Sequence, residues 1–287
     1  MTPLRFAALG DSLTAGLGDP LPGGEWRGWA ALLARGLAAD PQGALLLNCS
    51  RSGALTADVA GEQLTEALSH RPHLASVVVG ANDTLRGSFD IEAVAHRLDS
   101  VFGALRAQGA ELLTACLPDP GRMLGLPWPL ARPLGRRMRA LNHVVHALSD
   151  HYGAVHLHTA HHPWVLDRAS WSADKLHPSE LGHRLLAREF HTLLATAGLV
   201  GGEPPSVTPD GPGPGRAASA YWMATRGTRW VWDRCTDLLP DLLRLAVTEC
   251  RHQASGTVTA LELGAHRATV RAIASLDLST YDRLEAA

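Results

Sequence analysis

The chain almost entirely lacks lysine. Lys175 is the only one, and arginine supplies the other 25 positive charges. Alongside abundant Ala and Leu, this reads as a GC-rich coding bias. Neither charge sign is in surplus: 26 Lys+Arg face 28 Asp+Glu, a net charge of −2. A general nucleic-acid binder needs a basic face, so that class is excluded. The four cysteines (Cys49, Cys116, Cys235, Cys250) form no CxxC pair, which excludes a zinc ribbon or thioredoxin-type site. No run of about 20 apolar residues exists to span a bilayer. Met1-Thr2-Pro3-Leu4-Arg5 leads straight into Phe6-Ala7-Ala8-Leu9, too short for the segments of a signal peptide. The expectation is therefore a soluble, reduced, cytoplasmic protein without a membrane span. No Gly-x-Ser-x-Gly elbow surrounds Ser12, so the common α/β-hydrolase arrangement is excluded.

Hydrophobic residues make up 46% of the 287, ordinary for a globular chain. Up to about residue 200, short apolar runs alternate with longer helical patterns. Strands are expected at 6–9, 44–48, 75–79, 111–117 and 155–158. Helices are expected at 29–39, 56–69, 89–108, 130–152 and 178–197. Thr56 and Asp58 are candidate caps for the second helix, and Pro178 suits the first turn of the last. Strand and helix in alternation imply βαβ units, hence a parallel sheet with helices on both faces. Functional residues in such sheets lie at the carboxyl ends of the strands.

Residues 201–215 hold ten Gly or Pro in fifteen and read as a linker. The expected division is a domain at 1–200, the linker, and a C-terminal extension at 216–287. In the extension, Tyr221-Trp222 and Trp230-Val231-Trp232 precede a leucine-rich helical pattern over 238–247. That stripe is expected to be buried against the core, with a lipid-surface or partner anchor as the competing reading.

Chemistry-bearing residues sit where the pattern predicts. Gly10-Asp11-Ser12-Leu13 follows the first strand, and a serine at such a turn is well placed as a nucleophile. Gly53 follows the second strand, and Gly80-Ala81-Asn82-Asp83 the third. A glycine N–H and the Asn82 amide are candidate oxyanion donors. Asp174-Lys175-Leu176-His177 precedes the last helix. Asp174 is spaced to orient His177, a candidate general base. Each element alone is commonplace: a cap, a turn residue, a loop pair.

The ordered set resembles the SGNH/GDSL hydrolase family over residues 5 to about 197. GDSL at 10–13, Gly53, GAND at 80–83 and DKLH at 174–177 match its four blocks. The resemblance implies a three-layer α/β/α fold on a five-stranded parallel, flavodoxin-like sheet. It implies Ser12 as nucleophile, His177 as base and Asp174 as its orienting acid. Ser12 N–H, Gly53 N–H and the Asn82 amide would form the oxyanion hole, with Asp11 and Asp83 as supports. The implied activity is that of a serine esterase, deacetylase or lipase-like, acting on a small-molecule ester without cofactor or metal. Acyl transfer or thioester cleavage with the same triad is the alternative, and a non-catalytic binding module the third class.

Three further clusters stand out. His151, His156, His158, His161 and His162 crowd one region without an HExxH spacing, and read as solvated loop and strand-face side chains, with metal binding as the competing reading. Arg132, Arg136, Arg137 and Arg139 read as a solvated helix face, or as a contact for an anionic substrate. Trp128, Trp164 and Trp171 are candidates for walling an acyl pocket.

Overall fold

The five apolar runs pair in one all-parallel sheet in the order β2-β1-β3-β4-β5. The computed structural model describes residues 3–39, 43–210, 228–276 and 278. The strands are β1 (Arg5–Gly10), β2 (Leu45–Asn48), β3 (Leu74–Val78), β4 (Glu111–Ala115) and β5 (Val155–Leu157). β1 and β3 lie in the middle and are covered on both faces. That explains why they read as unbroken apolar runs, with every residue of β3 buried. β2 is an edge strand, and none of its four residues is fully buried.

The first connection leads through α1 (Gly28–Gly36). The second is interrupted: α2 (Thr56–Asp58), a π turn (Val59–Gln63) and α3 (Leu64–His70). The N-cap here is Leu55, whose N–H donates to Asp58 Oδ2 at 2.7 Å, so Asp58 caps and Thr56 does not. After β3 come the short α4 (Ala81–Leu85) and the long α5 (Ile91–Ala107), the latter capped by Asp90. α6 (Pro120–Met123) and α7 (Trp128–His151) join β4 to β5, and α8 (Glu180–Thr196) closes the domain. Ser179 is the N-cap of α8, so Pro178 stands one residue outside the helix. Strand order reverses between β1 and β3, since β1 leads outward to β2 and the chain then crosses back. The residues following β1 and β3 therefore face one crevice.

Residues 201–210 run back along the domain. Gly201 N–H donates to Leu37 O at 3.2 Å. Asp210 pairs with Arg27 at 2.5 Å and with Arg184 at 2.6 Å. Arg27 is buried and also pairs with Asp19 at 2.9 Å and Glu180 at 2.8 Å. Residues 211–215, like Tyr221 and Trp222, lie outside the described residues.

Two further helices follow, α9 (Thr228–Ala254) and α10 (Val258–Ala274). α9 lies on α7, and α10 on α5 and α7. The arginine run on α7 meets them. Arg136 pairs with Glu249 at 3.1 Å and Glu262 at 3.0 Å, Arg139 pairs with Glu262 at 3.0 Å, and Arg132 donates to Gln253 at 2.7 Å. The expectation of a solvated or substrate-facing basic helix is corrected for Arg136 and Arg139, whose counter-charges come from the C-terminal helices, while Arg132 and Arg139 stay exposed. The leucine stripe is only partly covered: Leu238, Leu242 and Leu245 are half-buried, while Leu239 and Leu243 are exposed. The residues of α10 that are fully buried are small, Ala272 and Thr269. No helix among the described residues is long and apolar enough to cross a membrane.

Candidate active site

Gly10 ends β1 where the backbone must pass close to β3. A Cβ there would lie 2.4 Å from Val78 O and 2.5 Å from Thr14 Oγ1, so only glycine fits. The Gln63 side chain reaches from the π turn to this residue, accepting from Gly10 N–H at 2.8 Å and donating to Gly10 O at 2.9 Å. The turn that follows is fixed by Asp11 Oδ1, which accepts from Leu13 N–H at 3.0 Å. Ser12 emerges from it towards the last loop of the domain.

That loop is an Asx-type turn. Asp174 Oδ1 accepts from the N–H groups of Leu176 (2.8 Å) and His177 (3.0 Å) and from Ser172 Oγ (2.6 Å). Lys175 between them adopts φ +59°. The other carboxylate oxygen, Oδ2, lies 2.7 Å from His177 Nδ1, and His177 Nε2 lies 2.8 Å from Ser12 Oγ. A carboxylate only accepts, so Nδ1 carries the hydrogen in the neutral ring and Nε2 is left to accept from the serine hydroxyl. Burial pushes the Asp174 carboxyl up, but the hydrogen bonds and charge of His177 outweigh it and hold the group well below the usual range.

Asn82 lies on α4 at the end of β3. Its amide nitrogen donates to Ala54 O at 3.1 Å and to Asp11 Oδ2 at 3.3 Å. Gly53 adopts φ +82° and precedes Ala54, which places it one residue from the Asn82 contact. Asn82, Ser12 and His177 all line the cleft; Gly53 is not among its lining residues. Asp83 accepts from Thr56 N–H at 3.0 Å and Thr56 Oγ1 at 2.7 Å, which fixes α4 against α2. Burial raises the Asp83 carboxyl, and raises Asp11 to about 6.

Apart from these groups and Thr159 the cleft is lined by apolar side chains. Leu13, Leu85, Leu117, Met123, Met138, Trp164 and Trp171 contribute to it. Trp164 and Trp171 therefore sit where the sequence placed them. Trp128 does not: it is 44% exposed, outside the cleft, with the Arg132 guanidinium 5.2 Å over its ring.

Several positioning residues gave no sequence signal. Gln63 is one. Arg137, read in the sequence only as part of a basic run, donates from Nη1 to Thr84 O (2.9 Å) and Arg86 O (2.8 Å) and so anchors the end of α4. His183 is fully buried, accepts from Trp29 N–H at 3.2 Å and donates to Leu17 O at 2.9 Å. It ties α8 to the loop after β1, and burial lowers its ring to about 4, so it stays neutral.

The fold has close counterparts. Axe2, an acetylxylan esterase from Geobacillus stearothermophilus, superposes with TM-score 0.53 at 20% identity, over 67% of this chain and 94% of that one. A lipase/acylhydrolase from Enterococcus faecalis gives TM-score 0.53 at 19% identity, over 70% and 99%. TesA gives 0.51 at 24%, over 67% and 98%. At these identities the likeness is one of fold. No curated sequence matches the chain closely enough to count as a relative. The model of the GDSL-like lipase/acylhydrolase family, by contrast, matches residues 8–185, which takes in the Ser12 turn, the Asn82 turn and the Asp174–His177 loop. The chain belongs to the GDSL-like lipase/acylhydrolase family of serine ester hydrolases.

Proposed function

We propose that this hydrolase cleaves carboxylic esters with an aliphatic acyl group through an acyl-enzyme on Ser12. The observation that carries the reading is the continuous line Asp174–His177–Ser12, 2.7 Å and 2.8 Å, at an apolar cleft. Ser12 Oγ attacks the acyl carbon while His177 Nε2 takes its proton. Asp174 stays ionised and stabilises the imidazolium. The carbonyl oxygen becomes an oxyanion, received by Ser12 N–H, Gly53 N–H and the Asn82 amide. The longer of the two Asn82 hydrogen bonds, to Asp11, is the one exchanged for it. Collapse expels the alcohol, which takes the proton from His177 Nε2, and water repeats the cycle on the acyl-enzyme.

Leu13, Leu117, Met123, Trp164 and Trp171 line the cleft with apolar surface, which favours an acyl chain of several carbons over acetyl. A panel of chromogenic esters of rising acyl length tests this. The expected result is kcat/KM rising beyond acetyl, with a fluorophosphonate labelling Ser12. A preference for acetyl assigns the deacetylase reading instead, and absence of labelling at Ser12 overturns the acyl-enzyme.

A further inference from the structure

A second cluster of reactive side chains lies behind the cleft wall. Along β4 and β5 successive side chains alternate between faces. Ala115, Leu117 and Thr159 line the cleft. Cys116, His156 and His158 point the other way, towards α7, where His146 meets them. One donor atom from each of these four residues lies within 4.8 Å of all the others. Their three imidazoles stand edge to face, with centroids 4.7, 5.2 and 4.7 Å apart.

The hydrogen bonds around the cluster leave lone pairs aimed into it. Ser149 Oγ donates to Val145 O at 2.6 Å, and a carbonyl only accepts. The Thr114 hydroxyl, 2.7 Å from Ser149 Oγ, must then donate to it. Thr114 Oγ1 is left to accept from His156 Nδ1–H at 2.8 Å. His156 Nε2 is therefore the bare nitrogen, and it is buried without a hydrogen-bond partner among the described residues, as is His146 Nε2. Two buried ring nitrogens without hydrogen-bond partners, one of them a bare acceptor, and a sulfur close by are a donor set that a cation would satisfy. Burial pushes the Cys116 thiol up, and the bond from the Ala160 backbone N–H offsets this only in part. A hydrogen-bonded second ring nitrogen is the usual way a ligating histidine is oriented.

We propose that Cys116, His146, His156 and His158 form a tetrahedral site for Zn²⁺. One thiolate and three imidazoles suit a borderline-soft divalent ion and give the hard cations Mg²⁺ and Ca²⁺ none of their oxygen ligands. Zn–N of about 2.0–2.1 Å and Zn–S of about 2.3 Å put tetrahedral donors about 3.3–3.7 Å apart, so the side chains close by about 1.5 Å at most. With four protein ligands the ion has no open position. Its role is to tie β4, β5 and α7 together behind the acyl cleft. His158 is exposed and gives the ion access from solvent.

The test is a titration of the chelator-stripped full-length chain with Co²⁺, followed by displacement with Zn²⁺. Uptake of about one equivalent is expected, with the intense visible bands of tetrahedral Co²⁺ and a near-ultraviolet thiolate charge-transfer band, both lost on adding Zn²⁺. Cys116→Ser should abolish the charge-transfer band. Thr114→Val, which frees His156 Nδ1, should weaken affinity about 10–100-fold. His158→Ala changes an exposed side chain, keeps the fold, and should weaken it at least as much. A weak octahedral spectrum, or a tetrahedral one indifferent to Cys116→Ser and His158→Ala, overturns the site. Neither outcome bears on the Ser12 acyl-enzyme, whose fluorophosphonate labelling is read separately.

Discussion

Gln63 holds both backbone polar groups of Gly10 with its one side-chain amide, at 2.8 and 2.9 Å. The π turn that carries Gln63 widens the helix at that point, and the amide reaches the end of β1 two residues before Ser12. Gln63→Leu takes this partner from the Gly10 N–H, at about 1–3 kcal/mol for a buried group left unpaired, and leaves the Gly10 carbonyl only the longer bond from Arg51 N–H at 3.3 Å. The expected result is a lower melting temperature and a lower kcat with KM nearly unchanged, since the serine loses its support and the cleft wall does not. An equal fall of activity in Gln63→Leu and in a surface variant of matched stability would remove the positioning role.

Ser12→Ala and His177→Ala should each lower kcat by about 10³-fold or more, and the double variant by little more than either, because the groups act as one unit. Asp174→Ala should cost the same or less. Asn82→Ala should cost about 10²–10³-fold, the usual size for one oxyanion donor. Steady-state kinetics on the best ester of the panel measures all of these.

Asp11 and Asp174 make opposite contributions to stability as pH changes. Asp11 is raised from 3.8 to about 6 by burial, so the native state holds a proton that the unfolded chain has released. Its contribution to stability is full below 3.8 and lost as pH rises through 6, an effect of about 3 kcal/mol at most. Asp174 is lowered, so its contribution is present at neutral pH and lost as pH falls below 3.8. Asp11→Asn should therefore stabilise the protein above pH 6 and not near pH 4, while slowing turnover through the lost acceptor for Asn82. Urea unfolding of both proteins across that range checks the sign.

Much of the candidate site is legible in the sequence because each piece is local. A Gly-Asp-Ser-Leu run after a strand, or an Asp three residues before a His, fixes its geometry within one turn of chain. Gln63 is not legible, since its partner lies 53 residues away and its reach depends on a π turn that no residue pattern announces. The arginines of α7 look solvated in sequence because Glu249 and Glu262 arrive more than a hundred residues later. The histidines look scattered because the spacing that matters is not along one helix. It is the β4–β5 register, with Thr114 opposite His156 and Ala115 opposite Leu157, that brings Cys116 alongside His156 and His158.

Glu249 is 1% exposed against Arg136, whereas Glu262 is 43% exposed. Glu249→Ala strips a buried guanidinium of its most enclosed partner and should cost about 3 kcal/mol or more. Glu262→Ala should cost about 1 kcal/mol or less. Thermal melts of the two variants compare them directly, and equal losses would mean that the α7–α9 contact is not held by charge.

Exhaustive chelation well below the melting temperature should leave ester turnover within about twofold, since no ligand of the zinc cluster touches the reacting atoms and a catalytic metal supplies several kcal/mol. The melting temperature should fall in the same sample and return with Zn²⁺.

The double pairing of Asp210 with Arg27 and Arg184 decides where this protein can be cut. A fragment ending at residue 200 keeps both buried arginines and discards the carboxylate they share. It also discards Ser206 O, the acceptor for Arg184 Nη1 at 3.0 Å, and uncovers the Gly36 carbonyl beside Gly202. For excision, fusion or circular permutation, the natural breakpoint on this side therefore falls after residue 210. The ten residues before it serve as an ionic clasp on the domain.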